Sequence, residues 1–246
     1  MNALHEYSRL LLMQLEDAFK LEEPSLQHAA KLCADAASEK RIIHIYDTGH
    51  LISHELVARV GGLVNFTHFG FSAQVQSENP YRERHRQPDA FLSQQKLTEW
   101  ALLQQAVQSG DVLFIGSVSG TSVSVVEMAL QARAMSVTVI ALTSKIFSSA
   151  LPAAHPSGQR LMDVADVVLD NHAPYGDSFL HLPDLPVPIC PLSGVSSACL
   201  MWALTALLTQ ELVARGLQPS VYESVNLPGG MQRYAELRDD YSRNGL

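Results

Sequence analysis

Cations are scarce in this chain. Its 246 residues hold 17 Lys and Arg against 25 Asp and Glu, a formal net charge of −8, which excludes the broad basic face of a general nucleic-acid binder. Cysteine is scarcer still. Cys33, Cys190 and Cys199 form no CxxC pair and, being three, cannot all be bridged; they suit a reducing compartment and read as buried apolar residues rather than nucleophiles. The first twenty residues include Glu6, Glu16 and Asp17 and lack the basic start, apolar centre and small-residue cleavage site of a secretion signal. A mature cytoplasmic protein is therefore expected. Charged residues make up only 17% of the chain and hydrophobic ones 47%, too apolar a balance for disorder, so one compact α/β domain is expected over 1–246. Charge is absent altogether between Asp184 and Glu211. A membrane helix needs about 20 apolar residues, but Ser193, Gly194, Ser196, Ser197, Thr205 and Thr209 make this run a poor span. It reads as a core helix, and no membrane partner is expected.

Against these absences stands a regular alternation of patterns. Leu4, Tyr7, Leu11, Leu12, Leu15 and Phe19 recur at helical spacing from Asn2 to Phe19, and a second helix is expected after Pro24, from Ser25 to Ser38. Then Arg41–Tyr46 is a short β-rich run, followed by the turn Asp47–His50 and a helical stretch from Leu51 to Val60. The same grammar recurs at Asp111–Gly116 before Thr121–Met135, at Val137–Leu142 before Thr143–Ser144, and at Val187–Cys190 before Ser193–Arg215, with a further apolar run at Val164–Leu169. Strands that are apolar on both faces and alternate with helices imply a mostly parallel sheet in a three-layer sandwich. Ligands in such sheets sit beyond the carboxyl ends of the strands. The polar and aromatic stretch Phe69–Pro88, with Arg82, Arg84, His85 and Arg86, is longer than an ordinary connection and is either a lid or an insertion.

The strongest chemical signal is Gly116-Ser-Val-Ser-Gly-Thr-Ser122, set between a buried strand and a helix. Gly120 permits a tight turn, free amides at the helix start point outward with the positive end of its dipole, and Ser117, Ser119, Thr121 and Ser122 add hydroxyl donors. A simple helix cap needs one hydroxyl; four hydroxyls in the six residues 117–122 describe a phosphate cradle. The lysine of a nucleotide P-loop is missing.

Strand, Ser-x-Ser-Gly-x-Ser/Thr and helix in this order resemble the phosphosugar-binding signature of the sugar isomerase (SIS) domain superfamily. Thr48-Gly49-His50, Glu55, Arg59, Gly61-Gly62, Gly110-Asp111-Val112, Glu127-Met128-Ala129, Thr143-Ser144, His155-Pro156-Ser157-Gly158, Asp166 to Asn171, Asn226 and Gly229-Gly230 extend the resemblance from Leu4 to Tyr241, toward single-SIS-domain proteins. The resemblance implies a three-layer αβα sandwich around a five-stranded parallel sheet, flavodoxin-like or Rossmann-like. It also implies a homodimer to which the N-terminal helices, 1–39, contribute, with pairing into tetramers left open. It assigns the sugar phosphate to Thr48, Gly49, His50, Ser117, Ser119, Gly120, Thr121, Ser122, Thr143 and Ser144. The first loop departs from the usual Gly-x-Gly-x-Ser: Asp47 stands where a glycine is common and Leu51 where a serine is. Asp47 either binds a sugar hydroxyl or amine, or caps the next helix. Val118 replaces a commonly polar residue.

Catalysis in this superfamily is proton transfer next to a carbonyl, in aldose–ketose isomerisation or elimination, and needs a carboxylate or histidine within reach of the acidic carbon. Glu78 is the first candidate base, His50 the second, and His155 and Asp177 follow from their Gly/Pro-rich loops. His50 and His54 are four residues apart, but the order is not HExxH and no third ligand is fixed, so neither a metal nor a cofactor is expected. The expected ligand is a small sugar phosphate, either turned over or only sensed.

Overall fold

A computed structural model describes residues 2–48, 52–73, 79–85 and 90–245. Along the chain, helix α1 (Ala3–Ser38) precedes strand β1 (Ile43–Asp47), α2 (Ser53–Leu56), β2 (Phe66–His68), α3 (Pro80–His85) and α4 (Ala90–Gln104). The centre of the fold follows with β3 (Val112–Gly116), α5 (Val123–Ala134), β4 (Thr138–Thr143), α6 (Lys145–Ser149), α7 (Leu161–Val164) and β5 (Val167–Asp170). Last come the short strands β6 (Ser178–Leu180) and β7 (Ile189–Pro191) and helices α8 (Ser193–Ala214) and α9 (Gly230–Asn244).

Five strands pair in parallel in the order β2-β1-β3-β4-β5. Alternate strand residues feed two separate cores, as the two-sided apolar pattern requires. Ile43, Ile45, Phe114, Ile140 and Leu169 pack with α1 and α8, whereas Leu113, Ile115, Val139 and Ala141 pack with α4 and α5. Helices therefore cover both faces. The strand order reverses between β1 and β3, and the register pairs Asp47 with Gly116 and Thr143 with Asp170. The carboxyl ends of β1 and β3 thus flank the crevice where ligands bind in open α/β sheets.

Three local expectations change. Helix α1 is continuous through Pro24 instead of breaking into two. Proline withholds the N–H that would reach the Lys20 carbonyl and crowds it, but Lys20 and Pro24 are exposed, so the interruption falls on the solvent side of the helix. Ala18, Glu22, Leu26, Ala30, Cys33 and Ala37 lie buried on one stripe across the proline, and that packing outweighs the local penalty. The helix expected from Leu51 to Val60 is confined to Ser53–Leu56, ended by extended Val57 and left-handed Ala58 at φ 57°. The run Val187–Cys190 does not join the parallel sheet: its end pairs antiparallel, Leu180 with Ile189, in a separate ribbon with β6. Prolines at 186, 188 and 191 remove the donors a central strand must supply.

Helix α8 is the one described helix long and apolar enough to cross a membrane. Its Leu200, Met201, Leu204, Leu208 and Leu212 are buried in the core shared with α1 and the sheet, the role expected of it.

Candidate functional site

The turn after β3 orients its backbone in one sense. The carbonyl of Val118 accepts from Ser144 N at 2.9 Å and Thr143 Oγ1 at 3.0 Å, that of Thr121 from Ala154 N at 3.2 Å, and that of Gly120 from Leu161 N at 2.7 Å. With these carbonyls turned into the protein, the amides face the other way. Those of Ser119, Thr121, Ser122, Val123 and Ser124 donate to no acceptor among the described residues, and only Gly120 N reaches a hydroxyl, Ser117 Oγ at 3.3 Å. Gly120 sits at φ +58°, and a Cβ there would stand 3.0 Å from Thr143 Oγ1 and 3.1 Å from Leu161 Cβ. Glycine is what lets the turn lie flat on its support.

Ser122 is the N-cap of α5 but its hydroxyl caps nothing; it faces Ser124 Oγ at 3.2 Å instead. Thr121 Oγ1 and Ser119 Oγ are 3.4 Å apart. Uncommitted amides, hydroxyls and the dipole of a twelve-residue helix meet at this turn, a combination able to stabilise an anion without a lysine. Val118, in the place of a commonly polar residue, packs against the α1/α8 core.

The other expected residues divide. Thr48 lies across the crevice, its N–H and Oγ1 donating to the Gly116 carbonyl at 3.1 and 3.3 Å. Gly49, His50 and Glu78 lie outside the described residues. Thr143 and Ser144 are fully buried: the former donates to Val118 O, and the latter donates to Ala173 O at 2.6 Å while capping α6 through Phe147 N. Thr143 supports the turn from beneath through its hydroxyl and Ser144 through its backbone amide, both on Val118 O, while the Ser144 hydroxyl is engaged elsewhere. Asp47 accepts from Ile52 N, Ser53 N and Ser53 Oγ at 3.2, 2.7 and 2.6 Å, which is the capping alternative. Asp177 holds the start of α8 in the same way, through Leu192 N, Ser193 N and Ser193 Oγ. His155 is buried, with Nε2 against Glu127 Oε2 at 2.9 Å and Nδ1 against Ser157 Oγ at 2.7 Å.

A cluster that sequence reasoning missed lies at the carboxyl end of β5. Glu22, from the middle of α1, accepts from Asp170 N at 3.1 Å and pairs with His172 Nε2 at 3.1 Å, while Asp170 accepts from His172 N and Lys145 N. Burial pushes the Glu22 carboxyl up, but the bonds from His172 and Asp170 and the charge of Lys145 hold it below its ordinary range. The bond to Glu22 raises His172 despite burial, helped by Asp170. Ligand atoms of the three residues lie within 4.8 Å of one another; the hydrogen bonds among them satisfy an ion-paired clasp of α1 to the sheet. Glu22 and His172 are 150 positions apart and share no motif. Glu127, by contrast, left a trace: it is the one acid of α5, set in the otherwise apolar run Val125–Leu130.

Comparisons with known proteins agree with the fold. A family model described as SIS domain matches residues 6–144. A UPF0309 protein of Streptomyces coelicolor is 32% identical over 229 residues, 89% of this chain and 87% of its own length. One of Shouchella clausii is 29% identical over 91% of this chain and 88% of its own. Among solved structures, a phosphoheptose isomerase of Neisseria gonorrhoeae superposes with a TM-score of 0.52 at 17% identity, over 84% of this chain and 97% of that one. One from Francisella tularensis gives 0.51 at 13%, over 84% and 96%.

Proposed function

The chain belongs to the SIS domain family, and on that premise we propose that it binds a small sugar phosphate and interconverts it, as an isomerase or related lyase, by moving a proton next to a carbonyl. The observation that carries the binding half is the turn after β3: the carbonyls of Val118, Gly120 and Thr121 are taken by the fold, and the amides of Ser119, Thr121 and Ser122 meet no acceptor among the described residues. In this reading the phosphate rests on Ser117, Ser119, Gly120, Thr121 and Ser122 at the start of α5, and the sugar extends across the crevice toward Thr48, Gly49 and His50. Thr143 and Ser144 shape the site from below. The catalytic proton belongs to Glu78 or His50, with His155 reached through Ser157. The protein works as a cytoplasmic homodimer of one SIS domain, 1–246, with the helix of residues 3–38 at the subunit interface and no cofactor.

A second reading, a sensor that binds without turnover, is favoured by one observation. The Asp47 carboxylate is spent on capping, and Leu51 offers no hydroxyl in its loop. One experiment separates the two. Hexose, hexosamine, N-acetylhexosamine and heptose phosphates are titrated by calorimetry, and each binder is incubated in D2O and followed by NMR at the carbon next to the carbonyl. Deuterium uptake that Glu78→Gln abolishes while binding survives supports the enzyme; binding without uptake supports the sensor; no binding by any of them refutes the cradle.

A further inference from the structure

Outside the cradle, the loop after α6 carries a second arrangement of reactive groups. Ser157 N–H points at His155 Nδ1 at 3.1 Å. A backbone amide only donates, so Nδ1 carries no proton, and the imidazole proton sits on Nε2, 2.9 Å from Glu127 Oε2. Ser157 Oγ, 2.7 Å from the same bare Nδ1, must then be donating to it. The result is a directed line of hydroxyl to imidazole to carboxylate, with the far carboxylate oxygen held by Gln131 Nε2 at 2.7 Å.

Each member is fixed by something other than its neighbour in the line. Gln131 also donates to Gln95 O at 3.0 Å, joining α5 to α4, and the Phe91 ring meets the imidazole edge-on with centroids 5.2 Å apart. Glu127 and His155 are buried while Ser157 is exposed. Among the described residues His155 is the one ionisable partner Glu127 has, so an acidic side chain has been taken out of water to hold a single histidine ring. Burying a charge on such terms is unfavourable for packing alone. A base within reach of a hydroxyl, oriented by a buried acid, is the arrangement that activates a nucleophile.

We propose that Ser157 is an activated nucleophile that accepts the acyl group of small activated esters. The group adjoins the cradle, since Ala154 N, next to His155, donates to Thr121 O at 3.2 Å, but the acyl transfer needs no sugar phosphate bound. Ser157 Oγ attacks the ester carbonyl carbon, its proton passes to His155 Nδ1, and Glu127 stabilises the imidazolium through the Nε2–H bond. The intermediate collapses by breaking the bond to the alkoxide, which leaves with the Nδ1 proton; water then enters by the same route and releases the acid.

The test is covalent capture. The full chain is incubated with an alkyl fluorophosphonate, which forms an Oγ–P bond, loses fluoride and sends the hydroxyl proton to Nδ1; the adduct is counted by intact mass and located by peptide mapping. The expected result is one adduct per chain on Ser157, no adduct in Ser157→Ala, and a rate at least tenfold slower in Glu127→Gln. The proposal is overturned if an exposure that fully labels a reference serine esterase leaves Ser157 unmodified, or if Glu127→Gln reacts at the parent rate. Should Glu127→Gln fail to fold, mapping on the parent and the exposed-site variant Ser157→Ala decide alone.

Discussion

Replacing Gly120 by alanine tests whether the turn after β3 is held by its surroundings. At φ +58° a residue with a Cβ loses about 1–2 kcal/mol relative to a right-handed conformation. The new methyl would also stand 3.0 Å from Thr143 Oγ1 and 3.1 Å from Leu161 Cβ. Neither neighbour is free to retreat, since Thr143 is bonded to Val118 O and Leu161 N to Gly120 O. Crowding of that kind in a packed interior adds about 1 kcal/mol or more, for an expected loss of about 2–4 kcal/mol. Gly158 supplies the control: it is also left-handed, at φ +74°, but nothing lies within 4 Å of its would-be Cβ, so Gly158→Ala should cost only about 1 kcal/mol. Both variants are unfolded in urea at one protein concentration and followed by circular dichroism; for a chain this size each kcal/mol is worth about 2–4 °C in a parallel melt. Gly120→Ala should also lose the thermal upshift that a bound sugar phosphate gives the parent. Coincident midpoints for the two variants, or an intact upshift in Gly120→Ala, would refute the packing described for this turn.

Three further outcomes are expected. Ser119→Leu removes a hydroxyl from the cradle and fills it; hydrogen bonds to a charged group are worth about 1.5–3 kcal/mol, so calorimetry should show affinity falling tenfold or more while the melting temperature holds. Asp47→Ala removes three bonds at the start of α2 and should lower stability by about 1–2 kcal/mol; a loss of affinity with stability unchanged would instead make Asp47 a sugar ligand. The clasp at β5 should make stability depend on pH with a definite sign. The contribution of His172, whose folded value is raised above 6.5, is full below that value and is lost as pH rises through the raised one. That of Glu22, lowered from 4.5, is full above 4.5 and is lost as pH falls through the lowered value. The pair is therefore strongest between 4.5 and 6.5, and His172→Gln should flatten the alkaline decline in urea midpoints measured from pH 6 to pH 9.

What could be read in the residue order follows a physical division. The strands β1, β3, β4 and β5 were legible because burial on both faces leaves an apolar run with no alternation, as in Val112–Ile115. The turn after β3 was legible because its signals are local: glycine, hydroxyls and a helix start within seven residues. Features decided by distant partners were not. Pro24 reads as a break, and only the stripe it interrupts, packed on α8 and the sheet, keeps the helix whole. Thr143 and Ser144 read as ligands at a strand end, but their hydroxyls take the Val118 and Ala173 carbonyls. Val187–Cys190 has the composition of a sheet strand and the prolines of an edge. The clasp of Glu22 with His172 joins the first helix to the last parallel strand, and nothing in either neighbourhood announces the other.

The inward carbonyls of the cradle have a consequence for how occupancy would be felt elsewhere. Each receives an amide from a different segment: Ser144 at the start of α6, Ala154 in the loop beyond it, and Leu161 at the start of α7. To exchange with solvent, those three amides must part from the turn. A ligand that binds only the closed turn raises the free energy of every such opening by the same amount, RT ln(1 + [L]/Kd). Ser144, Ala154 and Leu161, none of them facing the anion, should therefore slow in deuterium exchange together and by one common factor as the crevice fills.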